Sequence, residues 1–508
     1  MAHTLSVVDG VEGTTLALAG TAATGYHLSA YNPLMAQYSD QRNSSIYTPG
    51  DFSVQGKYGN IIETITCEIV GTSRDDLFVK LRALYRAIEN ARDHKQNIGI
   101  RNPTYLSYKP DSVTNTAYSV ILGGRVDIPG VDASITQGAG GEGEQLANTM
   151  TGIVITIERE PFWRALPPAM SATVTNWATA WLNTDITTGL GNVGWFGQIN
   201  ADGGTYPLIP GDLPALTEIR AGLRFAGDGL TLDKLVIGYR SARYAGNGAY
   251  GAGGLLEAET GTVGIDTAVA ADATASPGGG GNTKARCTFA TTATDAKRLL
   301  MQQSTTLTGS WRVFGRMAMS AGASTATVHL TTLAKGGLET TIPGIATVSG
   351  TAWTMYDLGV INAGPGIDPA FDQMTQVFNG IYVFAARTSG AASLDFDCLF
   401  LVPVDEYYLT ASNMALLSSP SGGTVRLGNI TPVSSAGQTA YMSAVTGQYF
   451  QQSWSIPQFS GDMRFPPGAG ALYYLFGDAT WGNIFEATLK IRLYLFYTAL
   501  YLAARGNG

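Results

Sequence analysis

The 508-residue chain has little charge and few cysteines. Only 14% of its residues are charged, against about 25% in ordinary soluble domains. With a net charge of -8, it offers no general basic surface, so we expect no nucleic-acid partner. Cys67, Cys287 and Cys398 are far apart and odd in number, which indicates neither a disulfide framework nor a zinc site. We predict that they are small buried hydrophobes.

The sequence also lacks recognisable catalytic motifs. His3, His27, His94 and His329 are scattered, and none lies beside a nucleophile or within HExxH. There is no GxSxG, no phosphate-binding loop, and no GxGxxG between a strand and a helix. Paired carboxylates would serve a glycosidase only at particular separations in space. The sequence therefore predicts a protein that is not an enzyme and has no organic cofactor.

No stretch is long and apolar enough to predict a membrane span. The most apolar run, 493–504, contains Thr498 and is shorter than a bilayer requires. The first fifteen residues lack a basic region followed by an apolar run, so no signal peptide is predicted. We expect a product that is soluble when made in the cytoplasm and does not insert into a membrane.

Glycine, in contrast, is abundant, with 63 residues. Many glycines, together with alanine, serine and threonine, suit short strands joined by turns. Short strands at roughly ten-residue spacing from Met170 onward are typical of β-sandwiches. The low charge also suits a protein whose surface is covered by neighbours in an assembly. We predict a mainly β chain.

One stretch predicts a long helix. Ile65, Cys67 and Ile69 alternate with polar residues, as in a half-buried strand. Ser73 is a suitable N-cap, with Asp76 three residues later. The apolar side chains that follow recur at helical spacing: Leu77, Leu81, Leu84, Tyr85 and Ile88. A strand followed by an amphipathic helix of roughly four to five turns is therefore predicted.

The chain divides into four predicted parts and two predicted arms. The arms are an extended or looped segment over 28–58 and a glycine-rich projection over 129–150. The parts are an α+β domain over 1–165, the first part of a β-sandwich over 166–250, a jelly roll over 251–410, and a β-rich part over 411–508 that completes the sandwich. We also predict a linker over 239–254, and a strand pair in the last apolar stretch.

Two pairs of acidic residues suggest a metal site. In Glu257-Ala258-Glu259 and Asp395-Phe396-Asp397, strand alternation would place both carboxylates of each pair on one face. If the two strands are neighbours, their oxygens suit Ca²⁺. The alternative is that these carboxylates are solvated at strand ends. The nearby SPGGGGN run is predicted to be a surface turn.

Aromatic side chains are the other binding resource, because they can stack on sugar rings. For each one taken singly, a core position is the competing interpretation. The candidates are Trp177, Trp181, Trp195, Trp311, Trp353, Tyr356 and Trp481.

Residues 1–165 resemble the N-terminal domain of distal tail (Dit-like) proteins of long-tailed phages. The resemblance rests on an order of elements: a hairpin, a polar arm, TCEIVGTSRDDLFVKLRALYRAIENA, strands around a glycine-rich arm, and ITIEREPFWR. It implies a β-rich ring-forming domain with one helix, hexameric assembly, and a galectin-like C-terminal sandwich. It is loose over the last hundred residues.

The middle of the chain, about 255–403, is similar to a jelly-roll carbohydrate-binding module. LEAETG resembles the start of such modules, and SLDFDCLFL resembles their closing strand. The resemblance implies a structural calcium site at Glu257, Glu259 and Asp397. It assigns no glycan-binding residue in this chain.

Together these features predict a virion structural protein at the tail tip or baseplate. Its expected partners are further copies of itself in a hexameric ring, the tail tube, the baseplate hub and tape-measure proteins, and host cell-surface glycans. The alternatives are another tail component, such as a tube or fibre protein, or a free carbohydrate-binding adhesin.

Overall fold

The computed structural model describes much of the chain, with gaps. The described residues are 3–45, 48–96, 103–111, 113, 116–128, 148–164, 179–181, 196–201, 208–225, 231–232, 234–241, 254–272, 283–302, 309–334, 339–362, 378–412, 416–417, 423–428, 439–443, 449–451, 455–460, 464–477 and 489–502. The predicted arm over 129–150, except its last three residues, and the SPGGGGN turn lie outside them.

The N-terminal part combines strands with one helix. Its elements are β1 (Thr4–Val8), β2 (Thr15–Ala17), β3 (Gly25–Tyr31), β4 (Tyr38–Ser45), β5 (Thr48–Tyr58), β6 (Ile61–Val70), α1 (Arg74–Gln96), β7 (Thr104–Lys109), β8 (Ala117–Asp127), β9 (Thr149–Arg159) and β10 (Trp163–Arg164). Strands β3, β6, β9, β8, β7, β1 and β2 pair in that order. Helix α1 packs on this sheet through one apolar face.

The predicted strand and helix are confirmed. The Ser73 hydroxyl accepts a hydrogen bond from the Asp76 backbone N–H at 3.2 Å, so it caps the helix where the sequence indicates. Leu77, Leu84 and Ile88 are buried. Tyr85 differs from the prediction, because it is 38% exposed while its hydroxyl donates to the Val126 carbonyl at 3.2 Å.

The predicted loop over 28–58 is wrong in part. Strand β3 reaches Tyr31, and β4 and β5 form an antiparallel hairpin. Alternation is weak in this polar segment, so periodicity did not reveal its strands.

The next strands are β11 (Thr179–Trp181), β12 (Phe196–Ala201), β13 (Leu213–Phe225), β14 (Thr231–Leu232) and β15 (Lys234–Ser241). Tyr239 to Ser241 therefore end a strand rather than begin a linker, and residues 242–253 lie outside the described residues.

The middle region is a two-sheet sandwich. Its elements are β16 (Leu255–Glu257), a 3-10 turn (Ala258–Thr260), β17 (Thr262–Val263), β18 (Thr267–Ala271), β19 (Thr283–Cys287), β20 (Ala296–Gln302), β21 (Ser310–Met319), β22 (Thr325–Ala334), β23 (Glu339–Ser349), β24 (Thr354–Asn362), β25 (Phe378–Ser389) and β26 (Leu394–Pro403). One sheet has the order β18-β19-β26-β21-β24, with β16 also on β26; the other is β17-β20-β25-β22-β23.

The remaining strands are β27 (Tyr407–Ser412), β28 (Leu416–Leu417), β29 (Gly423–Gly428), β30 (Thr439–Ser443), β31 (Tyr449–Gln451), β32 (Ser455–Ser460), β33 (Arg464–Phe465), β34 (Gly470–Gly477) and β35 (Leu489–Tyr501). A further sheet, which we call the third sheet because it follows the two sheets of the sandwich, has the order β12-β34-β15-β27-β32. The predicted C-terminal strand pair is one strand, β35, which pairs with β10, β11 and β13.

These sheets confirm the mainly β fold class, with α1 the one α-helix among the described residues. Cys67, Cys287 and Cys398 are buried free thiols, as predicted. Within the described residues, no helix has the length and apolar character to cross a bilayer. The predicted boundaries at 165, 250 and 410 stay predictions.

Candidate functional site

The three predicted metal ligands lie around one junction in the sandwich. Strand β26 pairs with β19 over Leu394–Phe396 and with β16 over Cys398–Phe400, where Cys398 lies opposite Glu257. Asp397 falls between these two partners. It is also the extra residue of a bulge, because Arg316 and Met317 on β21 face Cys398 and Phe396. The chain turns into a 3-10 helix after Glu257, so the predicted alternation does not extend to Glu259.

Charged side chains meet at this junction. Asp397 pairs with Arg316, with Oδ2 2.5 Å from Nη1, and both side chains are buried. Burial raises the pKa of Glu259, and the negative charge of Asp397 adds to the rise. Both Glu259 carboxylate oxygens are buried without a hydrogen bond of ordinary geometry. Ionisation of Glu259 is therefore disfavoured in this structure.

This donor set matches calcium in chemistry, because Ca²⁺ takes carboxylate oxygens. However, within the described residues no three acidic, histidine or cysteine side chains form a group arranged to hold a metal. Calcium binding at these residues therefore stays a prediction.

Asp395 has a different role from the one its spacing suggested. It accepts hydrogen bonds from Lys284 at 2.8 Å and from Arg286 at 2.6 and 2.7 Å. The carboxylate is thus neutralised by two cations, which makes it a structural ion-pair residue.

The predicted aromatic residues divide between core and undescribed positions. Trp311 is fully buried, which confirms the core interpretation for that residue. Trp353 is half-buried, with the Arg316 guanidinium 4.8 Å and the Lys284 ammonium 5.6 Å from its ring. Tyr356 packs against the core. The described residues do not include Trp177, Trp195 or Trp481, nor the side chain of Trp181.

An aromatic face that the sequence reading missed lies on the outer surface of the second sheet. On β25, Ile381, Val383 and Ala385 are buried, so Tyr382 and Phe384 point outward. His329 faces Phe384 across the β22–β25 ladder and stacks on it, with ring centroids 5.0 Å apart. Alternation in FNGIYVFAART was the available signal. We call Tyr382, Phe384 and His329 the aromatic face.

Charged side chains border the aromatic face. Lys297 Nζ lies 4.4 Å from the Tyr382 ring centroid and 2.5 Å from Glu339 Oε1. Lys297 belongs to β20 and Glu339 to β23, and strands β25 and β22 lie between them in the sheet. Their ion pair therefore passes over Tyr382 of β25. Asp295 Oδ2 lies 2.9 Å from His329 Nε2. Aromatic surface with a few polar groups at its edge is typical of a binding site for a neutral polar ligand.

A second candidate site lies at the root of the β4–β5 hairpin. Glu63 and Arg159 form a fully buried ion pair, with 2.6 Å between Oε1 and Nη2. The same two side chains bind the backbone of Leu34, whose N–H donates to Glu63 at 2.7 Å and whose carbonyl accepts from Arg159 at 2.9 Å. Tyr31 donates to Glu63 at 2.9 Å. The chain is therefore fixed just before the hairpin begins.

The hairpin itself forms a separate two-stranded sheet. Among the described residues, β4 and β5 pair only with each other. Leu34, Met35 and Tyr38 at its base are 45%, 64% and 58% exposed. An isolated two-stranded hairpin is marginally stable in water, and exposed strand edges tend to pair with other chains. This arrangement is suited to contact with another subunit.

No protein-family model matches the sequence, and no curated protein matches it. Among solved structures, the chain is similar to the CBM22-1 xylan-binding domain of Paenibacillus barcinonensis Xyn10C, at 14% identity and a TM-score of 0.21, over 30% of this chain and 94% of that one. It is similar to a chain of the phage P2 baseplate in its activated conformation with Ca, at 10% identity and a TM-score of 0.22, over 78% and 98%. It is also similar to the phage SPP1 Dit protein, at 7% identity and a TM-score of 0.24, over 79% and 99%.

Proposed function

We propose that this chain is a non-catalytic structural subunit of a phage tail, located in a ring at the distal tail or baseplate. The observation that carries the proposal is the β4–β5 hairpin, whose root is held by the buried Glu63–Arg159 pair. A buried ion pair is costly to form, so its use to fix the start of a separate two-stranded sheet favours a role for that hairpin in assembly. The resemblance of residues 1–165 to distal tail proteins supports the same role.

In this function, identical subunits form a closed ring, because closure gives every hairpin a neighbour. We propose six subunits, with the tail tube, the baseplate hub and the tape-measure protein as further partners. The work of such a ring is geometric: it joins a tube to a hub without chemistry.

The ring is tested with the purified full chain. Light scattering and electron micrographs are expected to show a closed ring at tens of micromolar. Replacing residues 39–57 by a short Gly-Ser turn, which leaves Leu34 and its buried partners in place, should give a monomer with unchanged circular dichroism. The control, Val360→Ser, alters an exposed apolar residue of the sandwich and should leave the ring intact. A wild-type chain that is strictly monomeric would overturn the proposal.

We further propose that the sandwich binds glycans on the host surface through the aromatic face. Sugar rings present apolar C–H surfaces that stack on aromatic rings, and the neighbouring Lys297, Glu339 and Asp295 can bind hydroxyl groups. Weak binding in each subunit would be multiplied by the number of copies. A glycan array should show binding that Phe384→Ala abolishes and Val360→Ser preserves.

The same experiments separate the alternatives. Glycan binding by a monomer would favour a free adhesin, whereas assembly into an open tube or a fibre would favour another tail component. A ring that binds no bacterial surface glycan would leave the sandwich a purely architectural role.

We also propose that Glu257, Glu259 and Asp397 hold a structural Ca²⁺. The buried Glu259 carboxylate, which lies close enough to Asp397 for their charges to interact, supports it. Calorimetric titration of the full chain with Ca²⁺ should show binding that Glu259→Gln weakens. Absence of binding in the millimolar range would overturn this part.

A further inference from the structure

The sandwich and the third sheet meet through buried side chains. Trp311 lies at the start of β21 and is fully buried. Its ring meets the buried Tyr473 of β34 edge-on, with 5.5 Å between centroids. The buried guanidinium of Arg240, on β15, lies 4.9 Å from the Trp311 ring. Side chains of both regions therefore belong to one continuous core.

Polar contacts reinforce this junction. Asp405 lies between the two regions, with its carboxylate 3.8 Å from Arg240 and accepting the Ser310 backbone N–H at 2.9 Å. Burial lowers the pKa of Arg240, and the charge of Asp405 opposes that change. The guanidinium is thus held between an aromatic ring and a carboxylate, and it joins residues distant in sequence.

The backbones of the sandwich and the third sheet are joined by a short connection and lie close together. Strand β26 ends at Pro403 and β27 begins at Tyr407, so three residues separate a strand of the sandwich from a strand of the third sheet. Val404 donates its N–H to the Ser310 carbonyl at 3.0 Å. A Cβ on Gly238 of β15 would lie 2.6 Å from the Pro403 carbonyl oxygen, so even one added carbon does not fit between the two backbones.

We propose that the sandwich is a fixed extension of the third sheet and not an independently moving module. The two regions unfold together, and the aromatic face keeps one orientation relative to the rest of the subunit. Where the proposed glycan binding holds, a ring would present its aromatic faces at fixed spacing. It would then favour ligands displayed at matching distances, because avidity depends on whether the sites can be engaged simultaneously.

Hydrogen exchange of the full chain, read by mass spectrometry, tests the coupling. Arg298 is buried within the sandwich, where its guanidinium binds the carbonyls of Ala385, Thr292 and Thr294. Arg298→Met should therefore destabilise the sandwich from within. If the regions are coupled, exchange in β34 and β15 should accelerate by the same factor as in β21, about tenfold or more.

Acceleration confined to the sandwich would overturn the proposal. The control, Arg159→Met in the N-terminal part, should leave exchange in all three strands unchanged. Should Arg298→Met fail to fold, Val328→Ala, a milder change in the sandwich core, provides the same comparison. The readout requires neither a ring nor a ligand, so its failure is distinct from failure of the proposed function.

Discussion

Two buried arginine–carboxylate pairs in this chain have the same chemistry and different surroundings. In the N-terminal part, Glu63 and Arg159 balance one another in charge, and each also binds the backbone of Leu34. In the sandwich, Asp397 and Arg316 pair at a β-bulge beside two further glutamates. The first pair fixes the start of the β4–β5 hairpin; the second lies beside Glu259, whose pKa is raised by burial and by the charge of Asp397.

The difference shows that buried ion pairs do not all have the same effect on stability and function. The effect of a pair depends on what the pair does with its spare hydrogen bonds and on the charge around it. Among the described residues, no further acidic side chain is shown to act on the Glu63–Arg159 pair, so its loss should affect folding and assembly alone. The Asp397–Arg316 pair lies beside the Glu259 carboxylate, so its stability should respond to a cation that binds these carboxylates.

The largest effect is expected from breaking the neutral pair. Arg159→Met leaves the Glu63 carboxylate buried without its cation, which should lower the free energy of unfolding of the N-terminal part by roughly 3–5 kcal/mol. Urea unfolding followed by hydrogen exchange in β6 and β9 measures this loss. Arg125→Met, which removes an exposed ion pair with Asp127, is the control. A loss below about 1 kcal/mol would mean that the pair is not a stabilising unit.

The second prediction concerns the sandwich pair. Arg316→Met should cost a similar roughly 3–5 kcal/mol without calcium, because the buried Asp397 carboxylate then loses the guanidinium that pairs with it. Millimolar Ca²⁺ should recover part of this loss, since the ion supplies the missing positive charge. Thermal unfolding with and without Ca²⁺ measures the recovery, and Arg159→Met should show none. Equal behaviour of the two variants would remove the distinction between the pairs.

The third prediction follows from the raised pKa of Glu259. Between the ordinary glutamate pKa and the raised value, the folded chain keeps a proton that the unfolded chain has lost. Stability should therefore fall as pH rises through that window. Glu259→Gln should remove this fall, and without Ca²⁺ it should be at least as stable as the wild type at neutral pH. With Ca²⁺ present, the wild type should be more stable than Glu259→Gln, because Ca²⁺ binds the ionised Glu259 carboxylate. Thermal unfolding across pH 4–8 at both calcium concentrations measures each effect.

Much of the fold followed from the sequence because local signals were strong. The alternation around Ile65 and the Ser73 cap predicted a strand and a helix that the structure contains. The β4–β5 hairpin was missed because its residues are mostly polar and its alternation is limited to a few positions around Phe52 and Val54. Arg240 and Trp311 were missed as partners because they belong to different strands whose contact depends on the path between them, which periodicity does not specify.

The candidate sites show the same division. Glu257, Glu259 and Asp397 were proposed from their spacing on two predicted strands, but the bulge at Asp397 and the 3-10 turn after Glu257 depend on which strands pair. The outward direction of Tyr382 and Phe384 was readable from alternation alone. The aromatic face also requires His329, which stacks on Phe384 from the neighbouring strand. Which strands are neighbours cannot be predicted from one sequence.

The smallest effect on stability is expected at exposed ion pairs. These pairs test whether the N-terminal part and the sandwich differ only in their buried ion pairs. Lys95–Glu158 in the N-terminal part and Lys297–Glu339 on the sandwich are both partly exposed. Lys95→Ala and Lys297→Ala should each change the free energy of unfolding only slightly, because water screens such pairs. The two variants should nevertheless differ in ligand binding, since only Lys297 lies over Tyr382. Glycan-binding affinity should therefore change with Lys297→Ala and stay constant with Lys95→Ala. If both variants bind like the wild type, the ion pair over Tyr382 has no part in recognition, and the charged border of the aromatic face is only solvated surface.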